Sequence, residues 1–76
     1  MPDKQMILDH LRLAESHVSL GQEHIVRQRQ LVAELKRDGH DPGDAGKLLA
    51  QFEELQAMHV ADRDRLIGEL AEAGGD

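Results

Sequence analysis

The stretch Arg37-Asp38-Gly39-His40-Asp41-Pro42-Gly43-Asp44 lies near the midpoint of the chain and is the only place where turn formers cluster. It divides the sequence into two long segments, each patterned as a helix. Gly39 has no Cβ and can take the left-handed conformation that closes a helix C-terminus. Lys36 and Arg37 place positive charge in that last turn, where exposed carbonyls favour cations. Asp41 suits the N-cap of the next helix and Pro42 its first position, which needs no N–H. Asp44 adds negative charge at the positive end of the second helix. Gly43 and Gly46 are poor helix formers, so the first turn is expected to fray. A connection this short makes the two helices antiparallel neighbours.

The first helix is expected over 3–38, the turn over 39–41, the second helix over 42–73 and a frayed tail over 74–76. Asp3 is the candidate cap of the first helix, with Pro2 before it. Between Asp3 and Asp38 no proline intervenes and Gly21 is the only glycine. Ile7, Leu11, Ala14, Val18, Gly21, Ile25, Gln28, Val32 and Leu35 recur at alternating steps of four and three, the pattern of a coiled-coil or bundle seam. Gly21 and Gln28 break its apolar character. A second stripe, Met6, Leu13 and Leu20, runs beside it, and Val26 and Leu31 widen the face. In the second helix one seven-residue line joins Ala45, Phe52, His59, Leu66 and Ala73. Leu48, Leu49, Leu55, Ile67 and Leu70 flank that line. Asp62, Arg63, Asp64 and Arg65 offer weak ion pairs, each worth about 0.2–0.5 kcal/mol.

If the turn is centred on His40, Leu48 meets Val32, Phe52 meets Gln28, Leu55 meets Ile25, His59 meets Gly21 and Leu66 meets Ala14. The glycine then makes room for an imidazole. The intra-hairpin core read this way is Ile7, Leu11, Val18, Ile25, Val32, Leu35, Leu48, Phe52, Leu55, His59, Leu66 and Leu70. Two helices cannot enclose a core, and domains this small bury little of their surface. Met6, Leu13, Leu20, Leu49, Val60 and Ile67 are therefore expected to form an oligomer interface. The fold class is all-α: an antiparallel two-helix hairpin expected to dimerise into a four-helix bundle. A bundle with the helices of another protein would serve equally.

Composition excludes several kinds of function. Phe52 is the only aromatic residue among Phe, Trp and Tyr, and cysteine is absent. There is thus no disulfide framework, thiolate nucleophile or cysteine-based zinc site. The formal charge of −6 disfavours nucleic acid as a partner. Arg27, Arg29, Lys36, Arg37 and Lys47 nevertheless gather toward the turn, and Glu69, Glu72 and Asp76 toward the other end. No apolar run approaches the roughly 20 residues of a membrane span, and no signal peptide is visible, so the expected location is cytoplasmic. No phosphate loop, catalytic constellation or cofactor motif is present, and the chain is read as non-enzymatic.

The histidines are the one pattern with possible chemistry. His10, His17 and His24 are spaced seven apart, and His59 falls near the same level. They read first as half-buried boundary residues. A pH-responsive interface is the second reading, because imidazole ordinarily titrates at about 6.5. A metal site is the third. Residues seven apart on one helix are about 10 Å apart, so a site needs His17 or His24 with His59, plus Glu23 or Asp62. The Glu-x-x-His signature of di-iron bundles is absent from the sequence.

From His24 to Leu70 the chain resembles a family of short, uncharacterised α-proteobacterial helical proteins. The resemblance is carried by His24-Ile25-Val26-Arg27-Gln28-Arg29, Leu31-Val32-Ala33-Glu34-Leu35, Asp38-Gly39-His40-Asp41, Ala45, Leu48-Leu49, Phe52-Glu53, Gln56, His59 and Asp62-Arg63-Asp64-Arg65-Leu66. It implies a bacterial helical hairpin and brings no function or site residues with it. In architecture alone the chain also resembles the Rop type of hairpin dimer, which binds paired RNA loops; the acidic charge speaks against that use here. The expected function is that of a small protein-interaction or regulatory module acting as an oligomeric bundle. A histidine-based metal- or pH-responsive bundle is the alternative, and an RNA-binding hairpin dimer the weaker one.

Overall fold

A computed structural model describes residues 3–74. Two helices, α1 (Lys4–Arg37) and α2 (Gly43–Ala73), pack along each other as an antiparallel hairpin. The all-α hairpin expected from the sequence is the observed fold. The expectations for Pro2 and for the tail at Gly75 and Asp76 lie outside the described residues.

Asp3 caps α1. Its side chain accepts from the Gln5 N–H at 3.1 Å, and its carbonyl accepts from the Ile7 N–H at 3.0 Å. At the other end the chain closes in a Schellman turn. Gly39 N–H donates to the Lys36 carbonyl at 3.2 Å and His40 N–H to the Leu35 carbonyl at 2.8 Å. Gly39 has φ 77°, the left-handed conformation that favours glycine. α2 begins at Gly43, one residue later than expected, with Pro42 at the cap position. Asp41 still satisfies an orphan donor, because its carboxylate accepts from the Gly43 N–H at 2.9 Å. At the far end Gly74 N–H donates to the Leu70 carbonyl at 2.9 Å, so Gly74 closes α2 rather than fraying from it.

The pairing register differs from one centred on His40. His17 packs on His59 and His24 on Phe52, with ring centres 5.2 Å and 5.6 Å apart. Gly21 faces Gln56 instead of His59. The Schellman turn explains the shift. His40 is already hydrogen-bonded back onto Leu35, so the apex of the hairpin lies at Asp38 and Gly39 and the pairings around Gly21 and Phe52 move with it, while Leu66 still meets Ala14 in the core.

The α1 seam is the one its spacing indicates. Ile7, Ala14, Ile25 and Gln28 are buried, and Leu11, Val18, Gly21, Val32 and Leu35 are half-buried. The α2 seam requires a correction. It runs through Ala45, Leu49, Phe52, Gln56, His59, Arg63, Leu66 and Leu70, all buried or half-buried. Leu48 and Leu55, expected in the core, are 40% and 49% exposed. The four-three repeat on α2 passes through two polar residues, Gln56 and Arg63, whereas the more apolar alternative lies one residue to the side. Arg63 is half-buried at the edge of the seam, a place an arginine tolerates because its stem is aliphatic. Its guanidinium pairs outward with Asp64 at 3.0 Å. The best-formed core lies toward the open end, where Ile7, Ala14 and Leu66 cluster with Leu11 and Leu70.

Candidate functional site

Along one edge of the hairpin, the histidine line of α1 faces the Leu48, Leu55 and Asp62 line of α2. His17, Leu20, Gly21, His24, Phe52, Leu55, Gln56 and His59 line a groove of about 200 Å³ between the helices. It continues toward the open end over His10, Leu13, Ala14, Asp62, Arg65 and Leu66. Across α2 it continues over Met58 and Ala61. The result is one surface on which Leu13, Leu20, Leu55 and Met58 project, each about half exposed or more, with the histidines between them.

Two glutamines cross the seam in opposite directions, and one of them, Gln56, lines the groove. Gln28 of α1 donates from Nε2 to the Ala45 carbonyl of α2 at 2.9 Å. Gln56 of α2 donates from Nε2 to the Val18 carbonyl of α1 at 2.8 Å. Both acceptors are helical carbonyls using a second lone pair. The Gln56 Oε1 is buried without a hydrogen-bond partner among the described residues. It presses against Gly21, where a Cβ would collide with it and come within 2.9 Å of the Gln56 Cδ. The hydrogen that Gly21 carries in place of Cβ points at this oxygen, a weak Cα–H···O contact. Gly21 thus accommodates an amide and not the expected imidazole.

Asp62, Arg65 and Glu69 form the polar rim. Arg65 donates to Glu69 at 3.0 Å and to Asp62 at 2.6 Å. The Asp62 hydrogen bond, and then the charge of Glu69, push the Arg65 pKa above its ordinary value. The Arg65 and Asp62 pair is exposed to solvent and uses one oxygen of Asp62.

Of the residues assigned to an oligomer interface, Met6, Leu13 and Leu20 are exposed, and Leu13 and Leu20 line this surface. Leu49 is half-buried in the seam instead. Val60 is half-buried and Ile67 exposed, but both share a seven-residue line with Glu53. Glu53 faces Arg29 across the opposite edge of the hairpin, at 4.0 Å. Those six residues are therefore not one patch. Leu55 and Met58 take the places on α2 that Leu49, Val60 and Ile67 were expected to fill. The spacing could have shown this, since Leu55 lies seven residues before Asp62 and seven after Leu48.

The candidate ligands divide as well. His17 and His59 come together, while His24 packs on Phe52. Among the described residues of a single hairpin, no group of three His, Asp or Glu side chains is arranged to hold a metal ion. The basic residues near the turn do not form a separate cationic patch. Arg37 pairs with Asp38 at 3.4 Å, Arg29 faces Glu53, and Glu34, Asp41 and Asp44 lie among them. No described helix is long and apolar enough to cross a membrane. Comparison of the chain with family models, curated proteins and solved structures found no match.

Proposed function

We propose that the chain is a cytoplasmic, non-enzymatic interaction module whose histidine-lined face packs against the same face of a second copy. The single observation that carries this reading is the continuous apolar surface formed by Leu13, Leu20, Leu55 and Met58 around the interhelical groove. Its size fits the purpose. The accessible surface is 5685 Å², whereas a compact monomer of 8.5 kDa exposes about 4,700 Å². The excess of about 1,000 Å² belongs to the elongated hairpin as a whole and exceeds one side of a standard protein interface, about 800 Å². Among the described residues the hairpin also buries only four apolar side chains below a tenth of their surface, Ile7, Ala14, Ile25 and Leu66. Covering the groove face would convert half-buried Phe52 and His59 into core.

Charged substitutions on the two edges test this reading. Leu20→Asp combined with Met58→Asp is expected to reduce the sedimenting species to a single chain, because both carboxylates would be desolvated in the interface. Val26→Asp, on an exposed residue of the opposite edge, is expected to leave the assembly intact. Equal effects from the two edges would defeat the assignment of the face.

A further inference from the structure

We infer that His17 and His59 are one half of a transition-metal site, completed by the same pair from a second hairpin. The inference rests on the dimer proposed above. The two rings belong to different helices, and their centres are 5.2 Å apart at a tilt of 45°. An ion about 2.1 Å from one nitrogen of each ring sits about 3.2 Å from each ring centre, which at a tetrahedral angle puts the centres about 5.2 Å apart. The observed separation equals that distance, which also lies in the range of two packed rings, so a shared ion needs no displacement of the ring centres. Neither ring has a hydrogen-bond partner among the described side chains, so their nitrogens remain available. His17 is exposed and His59 half-buried at the groove wall, which gives an ion access from solvent.

One hairpin cannot complete the coordination. Asp62 lines the neighbouring stretch with His17 and its Oδ1 accepts from Arg65 at 2.6 Å, and no third His, Asp or Glu joins the pair in a metal-holding group among the described residues. His24 is stacked on Phe52. The missing ligands must come from elsewhere, and the position of the pair indicates where. The centre of α1 falls between Leu20 and Gly21 and that of α2 at Met58. His59 lies about 1.5 Å along the axis from its helix centre and His17 about 5 Å from its own. A two-fold axis along the bundle, with both turns at the same end, sets each level of one hairpin opposite the same level of the other. It brings pair to pair and supplies four neutral imidazole donors, a set suited to Zn²⁺ and its late first-row neighbours and not to Mg²⁺ or Ca²⁺.

Calorimetric titration of Zn²⁺ into the full chain, with the mass measured in parallel, tests the site. The expected result is one ion per two chains and no response to Mg²⁺. His17→Ala and His59→Ala should each weaken binding by more than the roughly 10–100-fold that loss of an outer-shell group costs. His10→Ala and His24→Ala should leave it within about threefold. His17→Gln, at an exposed helical position, repeats the ligand loss with circular dichroism verifying the helix. A chain that sediments as two copies yet takes up no Zn²⁺ overturns the metal site and leaves the dimer standing. A chain that stays single with and without Zn²⁺ overturns both. Binding that survives loss of His17 and His59 overturns the ligand assignment.

Discussion

Gly21 and Gly68 are both interior helical glycines, yet their surroundings predict opposite responses to the same substitution. A Cβ at Gly68 meets nothing within 4 Å. Gly68→Ala is therefore expected to stabilise the fold by about 0.5–1 kcal/mol, the ordinary difference in helix propensity. A Cβ at Gly21 meets the Gln56 amide. Gly21→Ala must expel that amide and break its bond to the Val18 carbonyl, which costs about 0.5–1.5 kcal/mol and cancels the propensity gain. Adding Gln56→Ala to Gly21→Ala should restore the gain, so thermal denaturation of the single and double variants should show coupling of about 1 kcal/mol. Additive effects would mean that Gly21 and Gln56 do not touch. That the seam has a special position at Gly21 was legible in the sequence, because a glycine stood where the repeat demanded an apolar residue. Its partner was not legible. The identity of the facing residue depends on where the turn has its apex, and the hydrogen bond of His40 to Leu35 moves that apex off His40.

At the scale of the helices, the α1 seam could be read residue by residue, since its apolar repeat is interrupted only by Gly21 and Gln28. The α2 seam could not. Apolar patterning drew Leu48 and Leu55 inward, while the fold half-buries Gln56 and Arg63 and leaves both leucines half exposed. Patterning weighs hydrophobicity alone, but a glutamine that finds a backbone carbonyl across the interface satisfies its amide and is no longer excluded. Gln28, only 8% exposed, behaves the same way. The two crossed bonds fix one alignment of the helices, as single polar residues do in coiled coils at some cost in stability. Gln28→Leu with Gln56→Leu is accordingly expected to leave thermal stability unchanged or higher, within about 1 kcal/mol per site, because the carbonyls keep their helical bonds. The same variant should lose its single alignment and give more than one set of amide resonances. One sharp set of signals would show that the glutamines do not specify the register.

For the molecule as a whole, the hairpin measures 59 × 14 × 14 Å between Cα extremes and has two edges of different character. One edge carries the Arg29 and Glu53 pair with Val60 and Ile67; the other carries the groove, the histidines and the projecting Leu13, Leu20, Leu55 and Met58. Seven-residue spacing revealed that a second apolar stripe existed on α1. The matching residues of α2 were obscured by the misplaced seam, because each seam position moved inward pushes another residue outward. The pairing of His17 with His59 depended on the same register and emerges only once the helices are aligned. The proposed function requires this edge to be covered by a second copy of the chain. Its most direct test is sedimentation equilibrium of the full chain at micromolar concentration, without added metal. The expected mass is about 17 kDa, twice the 8.5 kDa of one chain, with helicity and mass falling together on dilution. A single 8.5 kDa species that remains fully helical at every concentration would contradict it.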